Sequence, residues 1–307
     1  MYIFFNGKVL DENENEAKIS IRSKIVNYGM GVFEGIRAYW NEDDNELYAF
    51  KLEEHYRRFL QSAKVLNLKV DYDVEELVEI TKNLLKKNEC RQDTYIRPIA
   101  FKNDPVIGVN ITDNTYDSVA IYTAPLGKYI DSAELRTKVS SWTRIADNML
   151  PPRIKPCGGY INSVLASFEA TSLGYDEAIL LNRNGNVCEG PGENIFLYKN
   201  GFLQTPPASD DILEGITRAE IMRIAKEDFK LTVVEKSIAR TELYNTDELF
   251  FTGTAMELAP IVEVDGIKVG SGKTGPITEK LRKSLTDITH GRDLRYKDSL
   301  TKVYGIK

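Results

Sequence analysis

The Asn-Gly pairs Asn184-Gly185 and Asn200-Gly201 each interrupt short apolar runs. Asn and Gly accept the left-handed backbone of a tight hairpin turn, so each pair joins antiparallel neighbours at short range. "AILLNRNGNVCEG" and "NIFLYKNGFLQT" therefore read as hairpins. "GIRAYW" and "ELYAFKL" flank the polar turn "NEDDN" in the same way. Repeated hairpins argue against a doubly wound sheet. They predict a mixed α/β, α+β protein with antiparallel pairs.

Helices fill much of the rest. "LEEHYRRFLQSAKVL" carries Leu52, Tyr56, Phe59, Leu60, Ala63 and Leu66 at helical spacing. "DVEELVEITKNLLKK" repeats the pattern with Val74, Leu77, Ile80, Leu84 and Leu85. "YINSVLASFEATSLG" reads as a helix ending at Gly174, "ITRAEIMRIAKEDF" as another, and "PITEKLRKSLTDIT" as a last one opened by Pro276. "TYIRPIAF", "DSVAIYTA", "RTKVSSW" and "LTVVEKSI" are strand-like, and "ELFFTGTAMELAPIVEVDG" is two strands around a Gly-Thr turn. "PLGKYIDS" has no clear period and reads as an interdomain linker, residues 125–132. It divides a small N-terminal domain, 1–124, from a larger C-terminal domain, 133–307, which carries Lys155. A chain of 307 residues, 42% hydrophobic, accommodates both.

Composition narrows the function classes. A net charge of −6 gives no basic face for nucleic acid. No apolar run nears the ~20 residues of a membrane span. The opening apolar run is too short for a signal peptide and turns acidic at once, so the expected location is cytoplasmic. Cys90, Cys157 and Cys188 are widely spaced, which suggests neither a disulfide framework nor a zinc site. Only two histidines exist, His55 and His290, and both read as helix-surface or helix-end residues. A Ser-His-Asp hydrolase or a histidine-rich metal enzyme has almost nothing to build with.

Glycine clusters invite a nucleotide reading, which their spacing rejects. A Walker A loop ending in Gly272-Lys273-Thr274 needs a glycine at the position of Ile267. "GPGENI" lacks the third glycine of a dinucleotide loop, and "GMGVFEG" has one residue too many.

Four places carry candidate chemistry. "PPRIKPCGGYINSV" sets Lys155 between two prolines and ahead of two glycines. A surface lysine gains nothing from so stiff a turn, whereas one aimed at a fixed point does. "LEGITRAE" opens a helix. Thr217 and Glu220 make a capping box on one reading, favoured from this stretch alone. On the other, the amides of Ile216 and Thr217 seat a phosphate. Tyr95 and Arg97 lie two apart on a strand, hence on one face, beside Ile99 and Phe101. A guanidinium there needs an internal carboxylate or a substrate carboxylate. Glu189 ends a hairpin strand. It is a solvated residue by default, and if buried it needs a cation.

Together these residues resemble the class IV, fold type IV pyridoxal-phosphate aminotransferases, and most closely the bacterial branched-chain amino-acid aminotransferases. The likeness runs through "NYGMGVFEGIRAY", "EHYRRF", "YIRP", "SSWTR", "KPCGGYINS", "CEGPGENIF", "LEGITR", "FFTGTAMEL" and "GKTGPIT". It implies transamination of L-leucine, L-isoleucine and L-valine with 2-oxoglutarate, with pyridoxal 5'-phosphate as cofactor. It implies that Lys155 forms the Schiff base and then moves the proton. The amine must be neutral to attack, a state that desolvation and a nearby cationic ring favour. By the same resemblance Glu189 pairs with the pyridine nitrogen. Arg58, the amides of Ile216 and Thr217, and Thr254 hold the phosphate, and Tyr160 lies near the ring hydroxyl. Phe33 and Tyr160 form an apolar wall. Arg97, Tyr28 and Tyr129 receive the glutamate side chain, while Tyr95 with the amides of Thr254 and Ala255 holds the α-carboxylate. Tyr28 and Val109 enter from a neighbouring subunit, which implies a homodimer at least. Leu126 stands where many relatives carry Trp, Met30-Gly31 replaces a small polar pair, and Pro156-Cys157 are unusual neighbours for the lysine. A D-amino-acid aminotransferase or aminodeoxychorismate lyase would share Lys155, Glu189 and Arg58.

Overall fold

A computed structural model describes residues 1–110, 116–127 and 134–305. The chain forms two compact units. One comprises Met1–Gly127, Ile154–Gly158 and Ile288–Lys307; the other comprises Lys128–Arg153 and Gly159–Asp287.

The first unit is built on an antiparallel sheet. From one edge its strands are Leu300–Lys302, Glu46–Phe50, Ile36–Asn41, Thr94–Lys102, Asp117–Pro125, Tyr2–Phe5 and Lys8–Asp11. The short strand Gly31–Phe33 also pairs with Thr94–Lys102. The hairpin around "NEDDN" forms as its pattern predicts, Ala38 facing Ala49 and Trp40 facing Leu47. A hairpin turning at Asn6-Gly7, both with positive φ, adds two strands beyond those read from sequence. Helices Leu52–Val65 and Val74–Lys87 pack on the sheet. Tyr56, Phe59, Leu77, Leu84 and Leu85 share one core with Ile36, Leu47, Ile96 and Ile121. Each fully buried side chain of this kind stabilises the fold by roughly 1.5–3 kcal/mol. The second helix opens with a capping box between Asp73 and Glu76.

The second unit holds a mixed sheet. Its order is Val187–Glu189, Glu177–Leu181, Leu135–Thr143, Glu257–Val264, Glu248–Gly253, Asn194–Lys199, Phe202–Thr205 and Thr232–Glu235. Hairpins supply the antiparallel pairs. Leu135–Thr143 runs parallel to both its neighbours, and Phe202–Thr205 runs parallel to Thr232–Glu235. Parallel neighbours need a long crossover. Helix Tyr160–Ser172 provides it for Glu177–Leu181, and helix Ile216–Glu227 for Thr232–Glu235. Asn200-Gly201 makes the expected turn with φ of 52° and 85°. At Asn184-Gly185 the turn is wider, because Asn182 Oδ1 accepts the amides of Asn184 and Asn186 at 3.0 and 3.1 Å.

Two segments join a different unit from the one their place in the sequence suggests. Ile154–Gly158, with Lys155, belongs to the first unit. Phe33 N donates to Lys155 O at 3.0 Å, and Val32 bridges Pro156 in antiparallel fashion. Ile288–Lys307 returns to the same unit, where Leu300–Lys302 pairs with Glu46–Phe50. Both are long-range pairings that no local pattern announces. Most of the segment read as a linker lies outside the described residues.

Candidate active site

The first unit gathers one group of charges around the strand Gly31–Phe33. Lys155 is pinned through its backbone, and its Nζ lies 5.2 Å from the centroid of the Phe33 ring. The Arg97 guanidinium is 4.3 Å from the same centroid, so one aromatic ring serves two cations. Arg97 Nη2 also donates to the Tyr95 hydroxyl at 2.5 Å, as their shared face predicts. Gly35 makes room for that hydroxyl, since a Cβ there would overlap it.

Beside Phe33 sits Glu34, with no solvent exposure. Its carboxylate receives Arg58 Nε at 2.7 Å on Oε1 and Arg58 Nη2 at 2.8 Å on Oε2. His55 Nδ1 lies 2.8 Å from the same Oε2. Burial works to raise this carboxyl, but the Arg58 charge and the His55 hydrogen bond hold it far below the usual carboxylate range. Burial pushes the imidazole down against the pull of Glu34. The arrangement is therefore an ionised Glu34 accepting from a neutral His55 Nδ1–H. The surface reading of His55 does not hold: it is 1% exposed, on the inward face of its helix with Arg58 three residues on.

The second unit gathers another group at the end of strand Val187–Glu189. Glu189 is 4% exposed, not solvated. Arg144 Nε lies 2.8 Å from its Oε1, while Asn194 Nδ2 and the Leu213 amide donate to Oε2 at 3.2 and 3.0 Å. This is the cation that a buried Glu189 demands. Burial disfavours the Arg144 charge, yet the adjacent Glu189 more than offsets it and keeps the guanidinium protonated. Asn194 Nδ2 also donates to Leu213 O at 2.9 Å, tying Glu189 to the turn before helix Ile216–Glu227.

That helix settles the capping question differently from the sequence preference. Its cap is Gly215, with no side-chain hydrogen bond, and Thr217 lies inside the first turn. Glu220 instead pairs with Arg223. A Cβ at Gly215 would overlap Asn194 Oδ1, so the glycine lets the helix start approach the Glu189 group. Thr254 and Ala255 occupy the turn between Glu248–Gly253 and Glu257–Val264, closed by Thr252 Oγ1 donating to Glu257 O at 2.9 Å. Tyr160 opens helix Tyr160–Ser172.

The remaining expected residues fall elsewhere. Tyr28 ends the short helix Lys24–Tyr28, and its hydroxyl accepts the Gly108 amide at 3.2 Å. Val109, the next residue, is 81% exposed. Tyr129 lies outside the described residues. Glu34, His55, Arg144 and Asn194 take part without having been singled out by sequence reasoning. Arg144 ends "SSWTR" and Asn194 sits in "GENIF", so their signal was adjacency to motifs. The nucleotide-loop reading fails on geometry too. Glu134 fills the loop by accepting Thr274 N at 2.7 Å, and Glu248 accepts the amides of Ile277 and Thr278 at the following helix start. A carboxylate already holds the place a phosphate would need. Among the described residues no cluster suits a metal ion, and no helix is long and apolar enough to cross a membrane.

Each unit carries groups that fit pyridoxal 5'-phosphate chemically. A pinned lysine suits its aldehyde, and a buried ionised carboxylate suits a protonated ring nitrogen. In the first unit Arg58 suits its phosphate, as in the second does a helix start without a side-chain cap. Comparison with known proteins agrees. A family model described as amino-transferase class IV matches residues 31–264. The chain is 48% identical over 304 residues to the probable branched-chain-amino-acid aminotransferase of Aquifex aeolicus (strain VF5), covering 99% of this chain and 97% of that protein. It is 38% identical over 294 residues to the branched-chain-amino-acid aminotransferase of Escherichia coli (strain K12), covering 94% and 93%. Among solved structures, the branched-chain aminotransferase from Thermoproteus uzoniensis with norvaline superposes with a TM-score of 0.94, at 44% identity over 99% of both chains. A T.th. branched-chain amino acid aminotransferase complexed with N-(5'-phosphopyridoxyl)-L-glutamate gives 0.93, at 38% identity over 98% of both.

Proposed function

The chain belongs to the class IV aminotransferase family, and we propose that it is a pyridoxal 5'-phosphate enzyme exchanging amino groups between L-leucine, L-isoleucine or L-valine and 2-oxoglutarate. The observation that carries this reading is Lys155, held by backbone bonds to the strand Gly31–Phe33 with its amine above Phe33. A lysine pinned at the main chain and turned toward an aromatic wall is placed for chemistry rather than for solvation.

When bound, pyridoxal 5'-phosphate supplies an aldehyde for the amino group and a cationic ring that draws electrons from the substrate Cα. The chain's own groups do the rest. Lys155 Nζ holds the cofactor between turnovers and carries the proton taken from Cα. Glu189, paired with Arg144 and fixed by Asn194 and the Leu213 amide, retains the proton on the ring nitrogen. Arg58, the amides of Ile216 and Thr217, and Thr254 bind the phosphate, and Tyr160 bonds near the ring hydroxyl.

Two substrates of different polarity must share the site. Phe33 and Tyr160 face branched aliphatic groups. Tyr95 and the amides of Thr254 and Ala255 bind the α-carboxylate common to both. Arg97, with Tyr28 and Tyr129, receives the second carboxylate of glutamate, and the fork of a guanidinium suits that task. The Arg97–Tyr95 hydrogen bond supports this division of labour. Tyr28 and Val109, both exposed, are proposed to complete the site of a second copy, making the protein a homodimer at least. A cytoplasmic location accompanies this reading.

Steady-state assays with L-leucine and 2-oxoglutarate test the function. Parallel double-reciprocal lines, from a ping-pong exchange, are expected. Turnover of D-alanine without turnover of L-leucine would replace this assignment with that of a D-amino-acid aminotransferase.

A further inference from the structure

Glu34 is tethered on every side. Its amide donates to Pro98 O at 3.0 Å, and its carboxylate takes three donors from His55 and Arg58. Its neighbour Phe33 holds the Lys155 backbone and lies beneath the Lys155 amine. Two consecutive residues thus connect the segment Ile154–Gly158, which carries Lys155, to helix Leu52–Val65. Arginine is a long side chain with many rotamers. Here the Nε/Nη2 edge of Arg58 is docked on a buried carboxylate, which fixes the guanidinium plane.

We propose that Glu34 and His55 are positioning residues that fix Arg58 relative to Lys155, and so set how strongly the protein prefers a phosphorylated pyridoxal ligand to an unphosphorylated one. Glu34 aligns the guanidinium. His55, three residues before Arg58 on the same helix face, donates Nδ1–H to Oε2 and keeps the carboxylate from rotating away from Arg58. This rests on the assignment of Arg58 to the phosphate. The side-chain hydrogen bonds of both run to each other and to Arg58, so their loss should be read out through the phosphate.

Titration of the apoprotein with pyridoxal 5'-phosphate and separately with pyridoxal, followed by absorbance and protein fluorescence, tests this. Glu34→Gln should lower affinity for pyridoxal 5'-phosphate by about tenfold or more while pyridoxal affinity stays within about twofold of wild type. His55→Asn should do the same more weakly. Adding Glu34→Gln to Arg58→Gln should have little further effect, because the first acts through the second. Equal losses for both ligands, or no loss for either, would overturn the proposal. If Glu34→Gln fails to fold, as judged by circular dichroism, His55→Asn decides alone. A wild-type protein that binds pyridoxal as tightly as its phosphate would instead overturn the underlying assignment of Arg58.

Discussion

Replacing Glu189 by Gln should separate the stability of the Glu189 group from its chemistry. The carboxylate is 4% exposed and lies 2.8 Å from Arg144 Nε. Glu189→Gln leaves the largely buried Arg144 cation, 13% exposed, without its anionic partner, which costs about 3 kcal/mol or somewhat more. Arg144→Met leaves Glu189 neutral donors, among them Asn194 and the Leu213 amide, so the loss is smaller, roughly 2 kcal/mol. The double variant removes both charges from the interior. Its loss should fall short of the sum of the single losses by at least about 2 kcal/mol, a coupling that urea unfolding of the apoproteins measures. Turnover should not return with stability. The carboxylate that holds the ring-nitrogen proton is still missing, and kcat should stay about 10²–10³ below wild type. Additive losses would mean that the pair is not coupled. Recovery of turnover in the double variant would remove Glu189 from its proposed role.

Other residues give sharper single tests. Arg97→Ala should cut kcat/KM for glutamate about tenfold to a hundredfold more than for leucine, the worth of a charge-assisted hydrogen bond; equal losses would end the two-substrate division. Gly35→Ala drives a Cβ into the Tyr95 hydroxyl, so kcat/KM should fall by about a hundredfold with either donor; a fall for glutamate alone would show that Tyr95 does not hold the common carboxylate. Burial pushes the Cys157 thiol up to about 11. Iodoacetamide should therefore label it slowly near neutral pH and speed up only as pH rises toward that value, measured by peptide mass spectrometry. Rapid labelling at neutral pH would contradict its burial.

Local pattern carried much of the fold. The helices Leu52–Val65 and Val74–Lys87 follow from apolar spacing, and the Asn200-Gly201 turn from the only residues that relax at positive φ. The parallel pairs were hidden because their partners meet only after a helical crossover. Lys155 was legible as unusual from its prolines and glycines, but its attachment to Phe33 spans most of the N-terminal half of the chain. His55 misled because a buried histidine and a surface one share the same helical spacing. What distinguishes it is Glu34, 21 residues earlier on a different element. Thr217 misled for the opposite reason: T-x-x-E is a good cap signature, yet Gly215 is the cap and Asn194 requires it to be glycine.

The most direct test reduces the pyridoxal-phosphate-loaded protein with borohydride, digests it and maps the modified lysine by mass. The label is predicted on the peptide containing Lys155 and should vanish in Lys155→Ala. A label on any other lysine, or no label at all, would contradict the assignment of this residue.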